Sequence, residues 1–200
     1  MTVMFHDGNR RLQDQFDSRR IADRLEEKLT RFAFTDGDRT FIEGAMFFFL
    51  ATADADGRPD CSFKGGTPGF VRIVGEGELA FPDYDGNGMF KSLGNILANS
   101  EVGLLFIDMG EKPRRLRVNG TATVSCDDPL IRRFAGAQLL VRVKARAIFP
   151  NCPRYIVTHG ADEPSKYAPR PGYAPPEPAW KGFDDFKAYV HPRQKRPDGA

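Results

Sequence analysis

The chain has 200 residues, which is enough for one well-packed core. Its 40% hydrophobic and 28% charged residues are typical of a globular protein, and a formal net charge of only +2 gives no electrostatic basis for binding nucleic acid. The longest apolar run, from Ala45 to Ala53, is far shorter than the roughly 20 residues of a membrane-spanning helix, so no membrane segment is predicted.

The cysteines and histidines give no pattern typical of a metal site. Cys61, Cys126 and Cys152 are odd in number and form no CxxC pair, and the three histidines are scattered. The sequence also has no GxSxG elbow, HExxH helix or P-loop, so we predict neither a metal nor a catalytic nucleophile. The N-terminus lacks the order of a signal peptide, and reduced thiols together with this absence predict a cytoplasmic protein.

Residues 1–45 are predicted to form a helical N-terminal cover. Apolar side chains recur at helical spacing from Asn9 to Phe34, with charged residues between them. A second, short helix should begin at Thr35, because its hydroxyl can cap the helix and Asp38 suits the positive end of the helix dipole. This helix is expected to end near Gly44.

From residue 46 the pattern changes to short apolar or alternating segments joined by glycine-containing turns, which is typical of hairpin-linked strands. Helices are predicted only over 89–98 and from Asp127-Asp128-Pro129 onward. We therefore predict a mainly β fold with flanking helices, in which residues 46–150 form a closed or half-closed antiparallel barrel. The predicted strands are 46–52, 59–64, 70–74, 78–82, 102–107, 114–124 and 139–149.

Residues 151–200 differ in composition from the rest of the chain. Nine of the 15 prolines lie between Pro153 and Pro197, which predicts an extended arm. A short closing helix is expected from Phe183 to Val190. Together with the two preceding regions, this arm is predicted to complete a single domain.

Side-chain alternation indicates a ligand site on two of the strands. Residues two apart on a strand share a face, so Arg115 and Arg117 point one way while Leu116 and Val118 point toward the core. Asn119 shares the outer face with the two arginines. These cationic and amide groups fit an anionic ligand, and the alternative for any one strand is a solvated face, which is common.

The second polar strand repeats this pattern. Asp60, Ser62 and Lys64 are expected to point outward, with Cys61 and Phe63 facing the core. The two polar strands together are expected to grip one ligand.

Two further segments fit such a ligand. Gly65 and Gly66 would let a flat ring approach the backbone closely. The loop into the helix over 89–98 offers free amides to a phosphate, with Lys91 and Ser92 in the first turn.

Three stretches carry a resemblance to a known family: FLATADADGRPDCSFKGG, LAFPDYDGNGMFKSLGNILANSEVGLLFID and RRLRVNGTA. In this order they are similar to the pyridoxamine 5′-phosphate oxidase-like family, the FMN-binding split barrels, over about residues 40–149. The resemblance implies an antiparallel split β-barrel and a homodimer with two FMN sites at the subunit interface. It also implies an FMN-dependent oxidoreductase.

The resemblance also implies which residues bind FMN. Lys91, Ser92 and Asn95 would hold the phosphate and ribityl chain, while Arg115 and Arg117 would meet the flavin ring or the phosphate. The usual lysine after the phosphate-strand arginine and the C-terminal Arg-x-His motif are both missing, which leaves the substrate unassigned. The implied cofactor-binding set is Ser62, Lys64, Gly65, Arg72, Phe81, Pro82, Asp83, Lys91, Ser92, Asn95, Arg115 and Arg117.

The sequence therefore predicts an oxidoreductase that passes hydride from NAD(P)H or a small organic substrate to an acceptor through bound FMN. Two alternatives stay open. One keeps the fold but binds a deazaflavin or haem, and haem would normally take an axial histidine, of which His159 is the only one near the right region. The other is a flavin-binding sensor or storage protein without turnover.

Overall fold

The computed structural model describes residues 2, 4–157, 166, 173 and 176–190. The chain divides into two compact units. One combines Met1–Thr30 with Glu163–Ala200, and the other is Arg31–Asp162. Of the helices in the described part of the chain, none has both the length and the apolar character needed to cross a bilayer.

The first unit begins with two helices, α1 (Asp7–Gln15) and α2 (Arg19–Leu29). The predicted continuous helix over 9–34 is wrong, because the backbone turns at Asp17, whose φ is 47°. In the same unit, the Nε of Arg24 donates to the carbonyl oxygen of Asp185 at 2.9 Å.

The predicted closing helix at the C-terminal end is also wrong. A 3₁₀ segment, Ala179–Gly182, is followed by successive hydrogen-bonded turns that run to Tyr189. Trp180 packs edge-on against Phe186, with ring centroids 5.8 Å apart, so aromatic contacts still anchor this segment within its own unit.

The second unit is built on one seven-stranded antiparallel sheet with the strand order β2-β1-β5-β6-β7-β4-β3. Two helices, α3 (Asp36–Glu43) and α4 (Lys91–Ala98), and a 3₁₀ segment, Pro129–Arg133, accompany it. The prediction of a mainly β fold with few flanking helices is confirmed. The strands are β1 (Phe47–Ala53), β2 (Pro59–Gly65), β3 (Arg72–Gly75), β4 (Glu78–Tyr84), β5 (Glu101–Asp108), β6 (Arg114–Ser125) and β7 (Ala137–Pro150).

The sheet curls so that its two ends face each other. Three strands separate β1 from β4 in the sheet order, yet the rings of Phe48 and Phe81 lie 5.0 Å apart. Phe48 also packs against Phe106 and Phe70, with centroid distances of 5.1 and 5.9 Å. All four rings are buried, so the hydrophobic core lies inside the curl, as the split-barrel fold requires.

Helix α3 closes one side of this core. The hydroxyl of Thr35 accepts from the backbone N–H of Asp38 at 3.1 Å, and the Asp38 carboxylate accepts from the backbone N–H of Thr35 at 3.0 Å. This reciprocal capping confirms the helix start predicted from the sequence. The helix ends at Gly44, and Ile42 is fully buried in the core.

Strand β6 has the predicted alternation. Leu116 and Val118 are buried in the core, whereas Arg117 is exposed on the outer face. The register against β7 shifts after Asn119. A Cβ on Gly120 would lie 2.0 Å from the carbonyl oxygen of Lys144, so only glycine permits this close approach of two backbones.

Candidate functional site

A cavity of about 700 Å³ opens between β2, the loop after β4 and the start of α4. This volume is typical of small-molecule and cofactor sites. Phe70, Pro82, Met89 and Phe90 give it apolar walls. Its polar lining consists of Asp60, Ser62, Lys64, Asp83, Tyr84, Asp85, Asn87, Lys91, Ser92 and Gln138.

Strand β2 forms one wall of this cavity with residues 60–65, and its inner face brings polar side chains there. Its register places Ser62 opposite Leu50 and Lys64 opposite Phe48, two side chains buried in the core. Because the cavity opens at this point, the polar side chains of β2 lie in the cavity and not in the hydrophobic core.

The predicted orientation of β2 is wrong for both faces, since Ser62 and Lys64 were expected to point outward but lie on the inner face. Phe63 is 61% exposed and Cys61 is exposed, so both point away from the core. The ring of Phe63 instead stacks on that of Phe47 at 5.3 Å and meets Phe49 edge-on at 6.0 Å. Aromatic packing on the outer face therefore takes the place of burial in the core.

The N-terminus of α4 is open toward the cavity. Its N-cap residue, Phe90, has a left-handed backbone with φ 47°, and no side chain caps the helix. The first-turn N–H groups, at Lys91 and Ser92, thus suit an anion. The hydroxyl oxygens of Ser62 and Ser92 lie 2.8 Å apart, and this hydrogen bond joins β2 to the first turn of α4.

The cavity holds charges of both signs. Lys64 and Lys91 are opposed by Asp60, Asp83 and Asp85. Burial raises the pKa of the Asp83 carboxyl, while the positive charge of Lys64 and a hydrogen bond with the Gln138 side chain act in the opposite direction. Burial has the largest effect, so the ionised form of Asp83 is disfavoured in the folded protein.

Replacing Asp83 with asparagine should therefore stabilise the protein at neutral pH. The raised pKa means that the folded state binds this proton more tightly than the unfolded chain does. The protonated Asp83 therefore stabilises the folded wild type. This contribution is fully present below the unfolded pKa of about 3.9 and is lost as the pH rises through the raised native pKa. In urea unfolding across this pH window, the free energy of unfolding of Asp83→Asn relative to that of the wild type should increase with pH. A difference that shrinks with rising pH would contradict this assignment.

The two glycines at the end of β2 have a different role from the predicted one. A Cβ on Gly65 would meet the Phe63 ring at 2.8 Å, and one on Gly66 would meet the Phe70 ring at 2.6 Å. On the side where a Cβ would lie, the protein's own aromatic rings fill the space, so a ligand ring cannot approach these two glycines from that side.

Seven of the twelve residues in the implied FMN set line this cavity and five do not. The seven are Ser62, Lys64, Gly65, Pro82, Asp83, Lys91 and Ser92. The five outside it are Arg72, Phe81, Asn95, Arg115 and Arg117.

Three of the five have other surroundings in the structure. Asn95 is buried, and its Nδ2 donates to Thr52 Oγ1 at 3.0 Å, so its amide joins α4 to β1. Phe81 lies in the core, and Arg72 is exposed beside Gly69.

The two arginines of β6 lie on the opposite side of the sheet from Lys64. Arg117 pairs with Leu105, which pairs in turn with Phe49 on the outer face of the sheet. Within one chain, Lys64 and Arg117 therefore lie on opposite sides of the sheet and cannot face one ligand together. The prediction that β2 and β6 hold one ligand is therefore wrong for a single chain. The polar side chains of the two strands lie on opposite sides of the sheet.

A second cavity, of about 320 Å³, lies at the start of α3 and β6 and the end of β7. Arg115 lines it, together with Arg31, Asp38 and Asn151. Sequence reasoning missed this grouping, because no motif connects residues so far apart in the chain. The additional residues of the first cavity had one signal in the sequence, the polar stretch Asp85-Gly86-Asn87-Gly88, which ends two residues before α4. No sequence pattern indicated Gln138.

Metal binding finds no support in the described residues. Among them, no group of three or more histidine, cysteine, aspartate or glutamate side chains is arranged to hold a metal ion.

The family profile described as pyridoxamine 5′-phosphate oxidase matches residues 34–160, a span that includes all seven strands and α4. No curated protein sequence matches the chain.

Several solved structures are similar to this chain. HupZ of Group A Streptococcus is 18% identical with a TM-score of 0.48, covering 58% of this chain and 93% of its own. A candidate pyridoxamine 5′-phosphate oxidase of Lactobacillus delbrueckii is 22% identical with a TM-score of 0.46, and the match covers 60% of this chain and 95% of that protein. HutZ of Vibrio cholerae, a haem-storage protein, is 16% identical with a TM-score of 0.38, and the match covers 56% of this chain and 86% of HutZ.

Proposed function

Since the chain belongs to the pyridoxamine 5′-phosphate oxidase family, we propose that it is an FMN-dependent oxidoreductase. Its FMN would lie in the cavity between β2 and α4. One observation carries this proposal: the uncapped N-terminus of α4 and the side chains of Lys64 and Lys91 line the same cavity of about 700 Å³. The size and the donors of this site both fit a phosphate-bearing cofactor.

Each group in the cavity has a distinct task in this proposal. The FMN phosphate carries about two negative charges at neutral pH, and Lys91, Ser92 and the first-turn N–H groups of α4 would hold it. Lys64 would add a charge-assisted hydrogen bond. The side chains of Phe70 and Pro82 would exclude water from an apolar ring. When bound, FMN supplies hydride exchange between NAD(P)H or a small organic substrate and an acceptor.

The histidine content supports flavin over haem. Residues 31–157, which include the whole sheet, contain no histidine, so this stretch cannot supply the axial histidine on which the haem alternative depends. His159, the histidine on which the haem alternative depends, lies outside the described residues.

The absorption spectrum of the full chain, purified without added cofactor, tests the proposal. We expect a yellow protein with a flavin spectrum, and FMN released in a fixed ratio on denaturation. A red protein with a Soret band would favour haem and overturn the proposal, and a deazaflavin spectrum would change the cofactor. Anaerobic mixing with NADH and with NADPH then separates an enzyme, whose flavin absorbance bleaches, from a sensor or storage protein, whose flavin stays unchanged.

We also propose that the chain forms a homodimer through the outer face of β1 and β2. Phe47, Phe49 and Phe63 form an aromatic cluster on this face, and Met46 beside it is 63% exposed. Exposed apolar clusters of this kind are typical of interaction sites. A two-fold dimer through this face would place Arg117, on the same side of the sheet, at the boundary between the protomers.

Replacing Phe63 with aspartate should dissociate this dimer, because it would place a charge in the middle of the aromatic cluster. Light scattering at micromolar concentration should show a dimer for the wild type and a monomer for Phe63→Asp. Leu97→Asp is the matched control, since Leu97 is 75% exposed on α4, and it should stay dimeric. A monomeric wild type, or a Phe63→Asp variant that remains dimeric, would contradict the proposed interface.

A further inference from the structure

We propose that the second cavity binds a small organic acid that carries a hydroxyl group next to its carboxylate and an apolar ring. This cavity has a volume of about 320 Å³ and shares no lining residue with the proposed FMN site. Its lining residues come from the start of α3, the start of β6 and the segment that ends β7. The site would therefore be a ligand site in addition to that of the cofactor.

Buried polar atoms without partners point to a missing ligand. The Nε atoms of Arg31 and Arg115 and the Oδ1 atom of Asn151 are buried and have no hydrogen-bond partner. All three residues line this cavity. Buried polar groups in folded proteins are nearly always paired, and a ligand with both an acceptor and a donor would satisfy these three atoms.

The charge balance of the cavity favours an anion. Arg31, Arg114 and Arg115 line it, with Asp38 as the one acidic residue of the lining. Asp38 is already engaged, since both of its carboxylate oxygens accept from Arg31 Nη2 at 2.8 Å. Arg114 and Arg115 form no salt bridge with any described residue. A bound carboxylate would supply the opposite charge that these two guanidinium groups lack.

The rest of the lining favours an apolar body over a bare inorganic anion. Phe41, Leu116 and three prolines complete the walls, and the guanidinium of Arg114 lies 4.5 Å from the centre of the Phe41 ring. A ligand ring would pack on these surfaces and would leave its carboxylate at the arginines.

The side chain of Asn151 indicates which group the ligand carries next to its carboxylate. The backbone N–H of Asn151 donates to the carbonyl oxygen of Arg115 at 3.5 Å, and both residues line the cavity with an unpartnered side-chain atom. The unpartnered amide oxygen of Asn151 needs a donor. An ammonium group would be repelled by the neighbouring arginines, so a hydroxyl group fits better and a 2-hydroxy acid is favoured over an amino acid.

Isothermal titration calorimetry of the FMN-loaded full chain tests this proposal. The probe is mandelate, which has a carboxylate, an adjacent hydroxyl and a phenyl ring. Phenylacetate lacks the hydroxyl and should bind about three- to tenfold more weakly, the usual effect of one hydrogen bond. Benzyl alcohol lacks the carboxylate and should not bind. Equal affinity for mandelate and phenylacetate, or no binding of mandelate, would overturn the proposal.

Amino-acid substitutions test whether mandelate binds in the second cavity. Arg115→Gln should weaken mandelate binding by about ten- to hundredfold, since it removes one charged partner. Asn151→Leu should abolish the preference for mandelate over phenylacetate, and it provides the test if Arg115→Gln does not fold. Arg132→Gln, an exposed arginine outside the cavity, should bind mandelate like the wild type. Mandelate binding that survives both Arg115→Gln and Asn151→Leu in folded protein would place it elsewhere and overturn the proposal.

Two further comparisons complete the test. The same titration without added FMN should give the same mandelate affinity, because the two cavities share no lining residue. Failure of this site and failure of the proposed FMN site are therefore distinguishable. Inorganic phosphate should bind more weakly than mandelate. If phosphate binds as tightly, charge alone explains the binding and the inference of an organic acid is overturned.

Discussion

Replacing Lys64 with alanine is expected to weaken FMN binding by about ten- to hundredfold, because a hydrogen bond to a charged group contributes about 1.5–3 kcal/mol. Lys64 lines the cavity from the inner face of β2, opposite Phe48 in the register, and its charge acts on Asp83 across the cavity. Fluorescence titration of the cofactor-free protein with FMN measures the effect.

The matched control is Lys112→Ala, which removes an exposed lysine from the turn between β5 and β6, away from the cavity. It should bind FMN like the wild type. Circular dichroism should show that both variants are folded. Full FMN affinity in a folded Lys64→Ala variant would show that this lysine does not contact the cofactor.

Replacing Phe48 with alanine is expected to lower the free energy of unfolding by about 3–5 kcal/mol, the usual cost of removing a buried phenylalanine ring. Phe48 is fully buried, and its ring contacts those of Phe70, Phe81 and Phe106. These contacts connect both ends of the curled sheet, so their loss opens a void where the sheet closes. Urea unfolding followed by circular dichroism measures the change.

Phe32→Ala is the control for this prediction, since Phe32 lies in the same unit but is 61% exposed. Its truncation should cost less than about 1 kcal/mol, as expected for a surface substitution. Comparable losses for the two variants would mean that Phe48 does not hold the sheet closed.

The fold was largely predictable because its local signals agree with its packing. Thr35 caps α3 as expected, and Asp38 completes a capping box with it. The alternation of β6 is also clear in the sequence, since Leu116 and Val118 reach the core. By contrast, the break between α1 and α2 occurs at Asp17 without a glycine or proline to signal it.

The site was predicted less well, because its geometry depends on which side of the sheet is open. Ser62 and Lys64 look like surface residues of a strand, yet they lie on the inner face beside a cavity that the loop after β4 and the start of α4 help to form. Phe63 looks like a core residue but belongs to an exposed aromatic cluster. Polarity alone cannot distinguish a solvated outer face from a polar cavity on the inner one.

Long-range pairing explains the remaining differences. The amide of Asn95 binds Thr52, a residue 43 positions away, and no local pattern predicts such a bond. The second cavity likewise joins Arg31, Arg115 and Asn151, which only the three-dimensional fold brings together.

The most direct test of the central claim is a crystal structure of the full chain grown with FMN. We expect the FMN phosphate at the N-terminus of α4, within hydrogen-bonding distance of the backbone N–H of Ser92 and of the Nζ atom of Lys64 or Lys91. FMN bound at another place on the protein, with the space between β2 and α4 filled only by solvent, would contradict the proposed site.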